Sequence, residues 1–135
     1  MYDSIGNLME WRAGLIMSGR FEDLAREHLY PMPLYIGTKM RALASPRELE
    51  AVYRGVRTAL LASGFTTLSA QVTAVEVPRR GRFRVWVDWV ARLAGGRALR
   101  VASTVEYMQS TEQGLRTEMS QCSCPRALTG AVAAR

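Results

Sequence analysis

From Phe83 to Leu93 every second residue is apolar: Phe83, Val85, Val87, Trp89, Ala91 and Leu93. Between them stand Arg84, Trp86, Asp88, Val90 and Arg92. A period of two held over this length dictates a long β-strand, because successive side chains of an extended chain point to opposite faces. One face belongs to a core. The other sets a single tryptophan, Trp86, among charges, an arrangement ill suited to a face left wholly in water.

The rest of the chain divides into a helical first half and a strand-rich second half. Ser4 can cap a first helix carrying Ile5, Leu8, Met9, Leu15 and Ile16, with Arg12 interrupting the apolar stripe. Gly14 weakens its middle, and Ser18-Gly19 breaks the chain. A second helix then places Phe21, Leu24, Ala25, His28 and Leu29 at spacings of three and four, and Pro31 and Pro33 end it. The third helix is the best punctuated. Ser45 is its N-cap, Pro46 its first residue, and Glu48 completes a capping box. Leu49, Val52, Tyr53, Val56, Leu60 and Leu61 form its buried stripe, and Gly64 closes it.

Besides the alternating strand, three more strands are expected at about 66–77, 97–109 and 115–123. The connections Pro78-Arg79-Arg80-Gly81, Gly95-Gly96 and Glu112-Gln113-Gly114 are short and contain Gly or Pro. Short turns of this kind join antiparallel neighbours, so the strands form a meander. Three N-terminal helices on an antiparallel sheet of at least four strands make an α+β fold. One domain spans residues 1–124. Residues 125–135 are small and unpatterned and read as a loose tail.

With 48% hydrophobic and 22% charged residues in 135, the composition is that of one ordinary globular domain. No apolar run approaches the roughly 18 residues of a membrane span, and no basic-then-apolar leader precedes the first helix. A cytoplasmic protein without a membrane partner is therefore expected. The formal charge is +6, and every basic residue except Lys39 is Arg. Such a balance raises nucleic acid or an acidic ligand as partner. Because the arginines are scattered, solvated faces are the better reading and nucleic acid is not expected.

Cys122 and Cys124 are too few for a disulfide framework. In an extended strand their Cα atoms would stand roughly 6.5–7 Å apart, at the edge of disulfide geometry. A structural zinc needs four ligands, so two ordinary thiols and no metal are expected. No G-x-G-x-x-G, P-loop or G-x-S-x-G occurs, which leaves nucleotide cofactors and serine-hydrolase chemistry without support. No cofactor is expected.

The stretch Gly19-Arg20-Phe21-Glu22-Asp23-Leu24-Ala25-Arg26-Glu27-His28-Leu29-Tyr30 resembles the second helix of the nuclear transport factor 2-like superfamily. Ser45-Pro46-Arg47-Glu48-Leu49 resembles the start of its third helix. This is the cone-shaped, cystatin-like α+β fold shared by ketosteroid isomerases and SnoaL-like polyketide cyclases. The resemblance covers about residues 4–123, rests on element order, and implies a curved sheet wrapped around a cavity. It implies as well a homodimer through the outer sheet face, for which Arg84, Trp86, Asp88 and Arg92 are suited, since Trp and Arg join apolar area to directed polar contacts.

The family's isomerases carry a general-base Asp between the second and third helices, whereas here nothing acidic lies between Glu27 and Glu48. A second family carboxylate lies on a central strand, and Asp88 is the only rough match. The alternation turns Asp88 away from Phe83, Val85 and Val87, hence away from the cone. Steroid-type isomerisation is not expected.

His28 is the only histidine, so any imidazole chemistry must use it. Its stripe position points it inward, where a core histidine bonded to a backbone carbonyl is the plainer reading. In a functional role, Tyr30, Tyr35 or Glu27 would orient it. The aromatic set Trp11, Tyr30, Tyr35, Trp89 and Tyr107 is read as lining the cone, with Ala70, Ala74, Ala91 and Ser103 leaving space; aromatics filling a packed core is the competing view. Arg79, Arg80, Arg82 and Arg84 cluster at one turn, where only Trp86 could stack on a base, so a solvated hairpin tip is favoured. These features together suggest a domain binding a small, largely apolar molecule, with no assigned reaction. One alternative is a cyclase or isomerase using His28 and a tyrosine. Another is an interaction module that binds protein or nucleic acid through the arginine-rich turn.

Overall fold

The computed structural model describes residues 2–123. Among them run α1 (Tyr2–Ser18), α2 (Phe21–Ala25), β1 (Met32–Ile36), β2 (Lys39–Leu43), α3 (Pro46–Ala62), β3 (Phe65–Val75), β4 (Arg82–Leu93), β5 (Ala98–Thr111) and β6 (Gly114–Ser123). The six strands form one curved sheet in the order β2-β1-β6-β5-β4-β3. All neighbours are antiparallel except β1 and β6. The tail expected at 125–135 lies outside the described residues.

The alternating strand is β4, and its period is realised residue by residue. Phe83, Val85, Val87, Trp89 and Ala91 are buried, while Arg84, Trp86, Asp88 and Val90 are partly exposed. Its inner face meets Met9, Ala13 and Ile16 of α1 and Leu49, Val52 and Leu60 of α3 in one apolar core. Two side chains close gaps between the layers. Glu10 of α1 accepts the Ala70 N–H of edge strand β3 at 3.1 Å, satisfying a group that an open edge would expose. Arg57 of α3 donates to the Met17 carbonyl at 2.9 Å, covering the last turn of α1.

At the start of α3, Ser45 is extended and Pro46 occupies the first turn. The Ser45 hydroxyl makes no capping bond, and Glu48 Oε2 accepts the Ala44 N–H at 2.9 Å. The expected capping box thus engages one residue earlier on its acidic side and is missing on its serine side. Gly64 closes α3 at φ +88°, a left-handed conformation that costs glycine little.

The chain departs from its sequence pattern in three places. First, α2 stops at Ala25, before His28 and Leu29. There the backbone bonds across to β6, with Leu29 N–H on the Thr117 carbonyl and Thr117 N–H on the Glu27 carbonyl, each at 2.9 Å. Tertiary pairing thus replaces the helical bonds that the apolar spacing suggested. Second, the Pro-rich stretch before α3 is a hairpin, β1–β2. Its inner face carries Lys39 and Arg41 alongside Met32 and Leu34, so no clean alternation announced it.

Third, two bulges invert faces. The shift between Val72 and Ala74 turns Ala74 to the outer side opposite Trp86. A second shift, where Trp89 pairs with Ala102 and Val90 with Arg100, inverts β5. Before it Leu99 faces inward opposite Ala91; after it Ala102, Thr104, Glu106 and Met108 do. An extra residue in one strand has this effect because the side-chain period is two.

Candidate functional site

The most concentrated polar chemistry is buried between α1 and the sheet. Arg12, the residue that interrupts the stripe of α1, is 2% exposed and sits inside the core. Its Nη1 donates to Thr117 Oγ1 at 2.6 Å and its Nη2 to the Glu27 carbonyl at 3.1 Å. Two carboxylates face it, Glu27 Oε1 at 3.5 Å and Glu106 Oε1 at 3.9 Å. Burial lowers the affinity of this guanidinium for its proton, and the charges of Glu106 and then Glu27 oppose that. Glu106 in turn accepts the Ser120 hydroxyl at 2.7 Å.

Glu106 is the carboxylate that sequence reasoning missed. Without the bulge, β5 reads with Val105 and Tyr107 inside and Glu106 outside. The signal that could have revealed it was Arg12, since a cation within an apolar stripe calls for a buried counter-charge.

Above this cluster lies an apolar cavity of about 70 Å³. Helix α3 supplies Val52, Tyr53, Val56 and Leu60, and the sheet supplies Leu34, Leu68, Trp89 and Val101. Polar groups enter through Thr104 and Ser120. Trp89 is fixed by its indole N–H, which donates to Thr104 Oγ1 at 2.9 Å. Burial pushes the Tyr53 phenol above its ordinary range, and the Glu106 charge adds to the effect. Ser120 is the one residue that both lines the cavity and bonds Glu106.

Of the five aromatics read as lining the cone, Trp89 alone borders this cavity. Trp11 is 45% exposed on α1. Tyr35 pairs with Gln121 and Tyr107 with Arg84 on the outer face, where the Tyr107 hydroxyl donates to Gln121 Oε1 at 3.0 Å. Tyr30 donates to the Ala25 carbonyl at 2.7 Å, and burial, then Glu50, raises its pKa. Ala70 and Ala91 are buried on the inner face, whereas Ser103 faces outward and donates to Asp88 Oδ1 at 2.7 Å.

His28 is 6% exposed and its Nδ1 lies 2.9 Å from the Leu24 carbonyl. A carbonyl only accepts, so Nδ1 carries the proton of the neutral ring. Burial, and next the Arg12 charge, depress its pKa to about 3. Such a ring is a feeble base at neutral pH. It borders a separate surface depression with Tyr30, Arg47 and Glu50, outside the apolar cavity.

Arg84, Trp86, Asp88 and Arg92 lie on the outer face. Arg84 spans Trp86 at 5.0 Å and pairs with Glu76 at 2.7 Å. At the arginine-rich turn Arg82 pairs with Glu118 at 3.1 Å, so two of the four clustered arginines are committed to carboxylates. Cys122 corrects the expectation of two ordinary thiols, because it is disulfide-bonded. β6 ends at Ser123, and Cys124 lies outside the described residues. Among the described residues no three His, Cys, Asp or Glu side chains gather as metal ligands.

Two outcomes are expected of the buried cluster. Arg12→Met leaves the buried Glu106 and the partly buried Glu27 without their cation and should cost about 3–5 kcal/mol in urea unfolding. A loss below about 1 kcal/mol would show that the pair contributes no more than a surface bridge. For His28, the unfolded ring takes a proton near pH 6.5 that the folded ring refuses until about 3. Its contribution is therefore complete above pH 6.5 and is lost as pH falls toward 3. The folding constant should drop through this site by up to about tenfold per pH unit in that window. Equilibrium unfolding of His28→Gln from pH 7 to pH 4 should give a visibly flatter profile; an unchanged slope would remove His28 as the cause.

No family model matches the chain, and no curated protein matches it. Solved structures do. A domain of unknown function with a cystatin-like fold from Nostoc punctiforme superposes with a TM-score of 0.69 at 14% identity, covering 92% of this chain and 76% of that one. An NTF-2-like protein of unknown function from Shewanella oneidensis gives 0.69 at 13%, covering 90% and 98%. Aln2 from a Streptomyces species gives 0.69 at 15%, covering 99% and 95%. At such identities the likeness is one of architecture. This chain has the nuclear transport factor 2-like, cystatin-like fold.

Proposed function

We propose that this protein binds a small, largely apolar molecule in the cavity between α3 and the sheet. The observation that carries the reading is the cavity itself: a void of about 70 Å³ that opens to solvent and is walled by apolar side chains of α1, α3 and the strands. A dry void of about 150 Å³ accepts benzene. Half that volume suits a branched aliphatic group of a few carbons, and anything of steroid size would require α3 to move. Apolar walls with a few fixed polar groups are typical of ligand pockets, and Thr104 and Ser120 stand where such groups are needed.

Isovaleramide, a neutral molecule of the right bulk, tests this. Its titration into the full chain should shift the indole N–H resonance of Trp89. Ala102→Leu adds three carbons to the cavity wall and should abolish the shift while the spectrum stays folded. No shift in the wild-type protein, or an equal shift in the filled variant, would overturn the reading.

A second reading concerns assembly. Trp86 is half-buried under Arg84 on the outer face, beside Val105 of β5, and an aromatic paired with Arg is a frequent interface anchor. A homodimer through this face should sediment as two chains at micromolar concentration, and Trp86→Glu should convert it to one. A wild-type protein that sediments as one chain would remove the dimer.

A further inference from the structure

Arg41 is a cation without a counter-charge on the inner face of the sheet. It lies on β2, where Lys39, Arg41 and Leu43 share the side of Ile36, Leu34 and Met32. Its Nη1 is buried with no hydrogen-bond partner, and no carboxylate of the described residues pairs with it. The contrast is Arg12, also with a buried orphan nitrogen, whose other two nitrogens are bonded and face two carboxylates. A buried donor left unmade costs stability, so its persistence at Arg41 asks for a cause.

The register supplies one. Arg41 pairs with Leu34, Leu34 with Ser120, and Ser120 with Glu106, forming a single row across β2, β1, β6 and β5. Leu34 and Ser120 border the apolar cavity. Directly opposed side chains on one face stand about 5 Å apart at Cβ, so the Arg41 stem begins one strand from the cavity wall. The row is electrically graded. Its inner end holds the buried Glu106, already satisfied by Ser120, and its outer end holds an unpaired guanidinium with Lys39 beside it. A molecule with its apolar body over Leu34 and Val52 would meet the unmatched charge of Arg41 one strand away.

We infer that the ligand of the cavity is a small carboxylic acid, its carboxylate taken by Arg41 and its branched aliphatic body by the cavity. The inference rests on the cavity reading above and adds the charge of the ligand. A guanidinium suits this role because its planar array of donors matches a carboxylate and stays charged at every accessible pH.

The test is a paired titration of the full chain with isovalerate and isovaleramide, which share an aliphatic body and differ in charge. Isovalerate should bind about tenfold or more tightly than the amide, the size expected of a charge-assisted bond. Arg41→Gln should bring isovalerate down to the affinity of the amide and leave the amide unchanged. Arg41→Lys should retain part of the preference. Since Arg41 makes no internal bond, the Gln variant should melt no lower than wild type, which separates a binding defect from a folding one. Equal binding of acid and amide, or an unchanged preference in Arg41→Gln, would overturn the inference and leave the cavity reading intact. Failure of both molecules to bind would overturn the two together.

Discussion

The buried polar cluster at the centre of this fold is organised around Arg12. One guanidinium, 2% exposed, reaches the Thr117 hydroxyl on β6, the Glu27 carbonyl in the turn after α2, and the Glu106 carboxylate on β5. Four parts of the chain, distant in sequence, meet at one charge. Apolar contacts are tolerant of rotation and sliding, whereas a buried ion set is satisfied in one arrangement only. Arg12 therefore fixes how α1 lies on the sheet. It also holds the turn containing His28 against β6, where backbone bonds between residues 27–29 and Thr117 complete the junction.

The same cluster shapes the chemistry of its surroundings. Glu106 is held by Ser120 and Arg12, and only Ser120 of this set reaches the cavity wall. His28 is kept neutral by burial and by the neighbouring guanidinium. The groups best able to move protons are thus occupied in holding the fold, while the cavity beside them is apolar. That division gives Arg41 its interest, as an inner-face cation whose buried Nη1 has no partner.

Much of the architecture was legible because it rests on short-range rules. The Pro46 start and Gly64 stop bound α3, the alternation from Phe83 to Ala91 set the buried face of β4, and glycine-containing turns set the meander. Asp88 fell on the outer face for the same reason. The candidate site was harder to read. Of its aromatic lining, Trp89 and Tyr107 stood on expected strands, and strand parity fails at a bulge: β5 inverts at Ala102, sending Tyr107 out and Glu106 in. Tyr35 and Arg41 belong to a hairpin whose inner cations hide the apolar pattern. Tyr53 was legible as a buried residue of α3, yet nothing local marked it as a cavity wall.

The sequence by itself determined the bounds of α3, the turns of the meander and which face of β4 and α3 is buried, since caps, turns and periodicity act over a few residues. It determined as well that Arg12 interrupts an apolar stripe, though not what would answer its charge. Tertiary structure alone decided that answer. It brought Glu106, Glu27 and Thr117 to one point, stopped α2 at Ala25 by offering β6 as a better partner, and aligned Arg41, Leu34 and Ser120 in one row. These outcomes depend on strand register and bulge position, which follow from the packing of the whole sheet and leave no trace in any short stretch of chain.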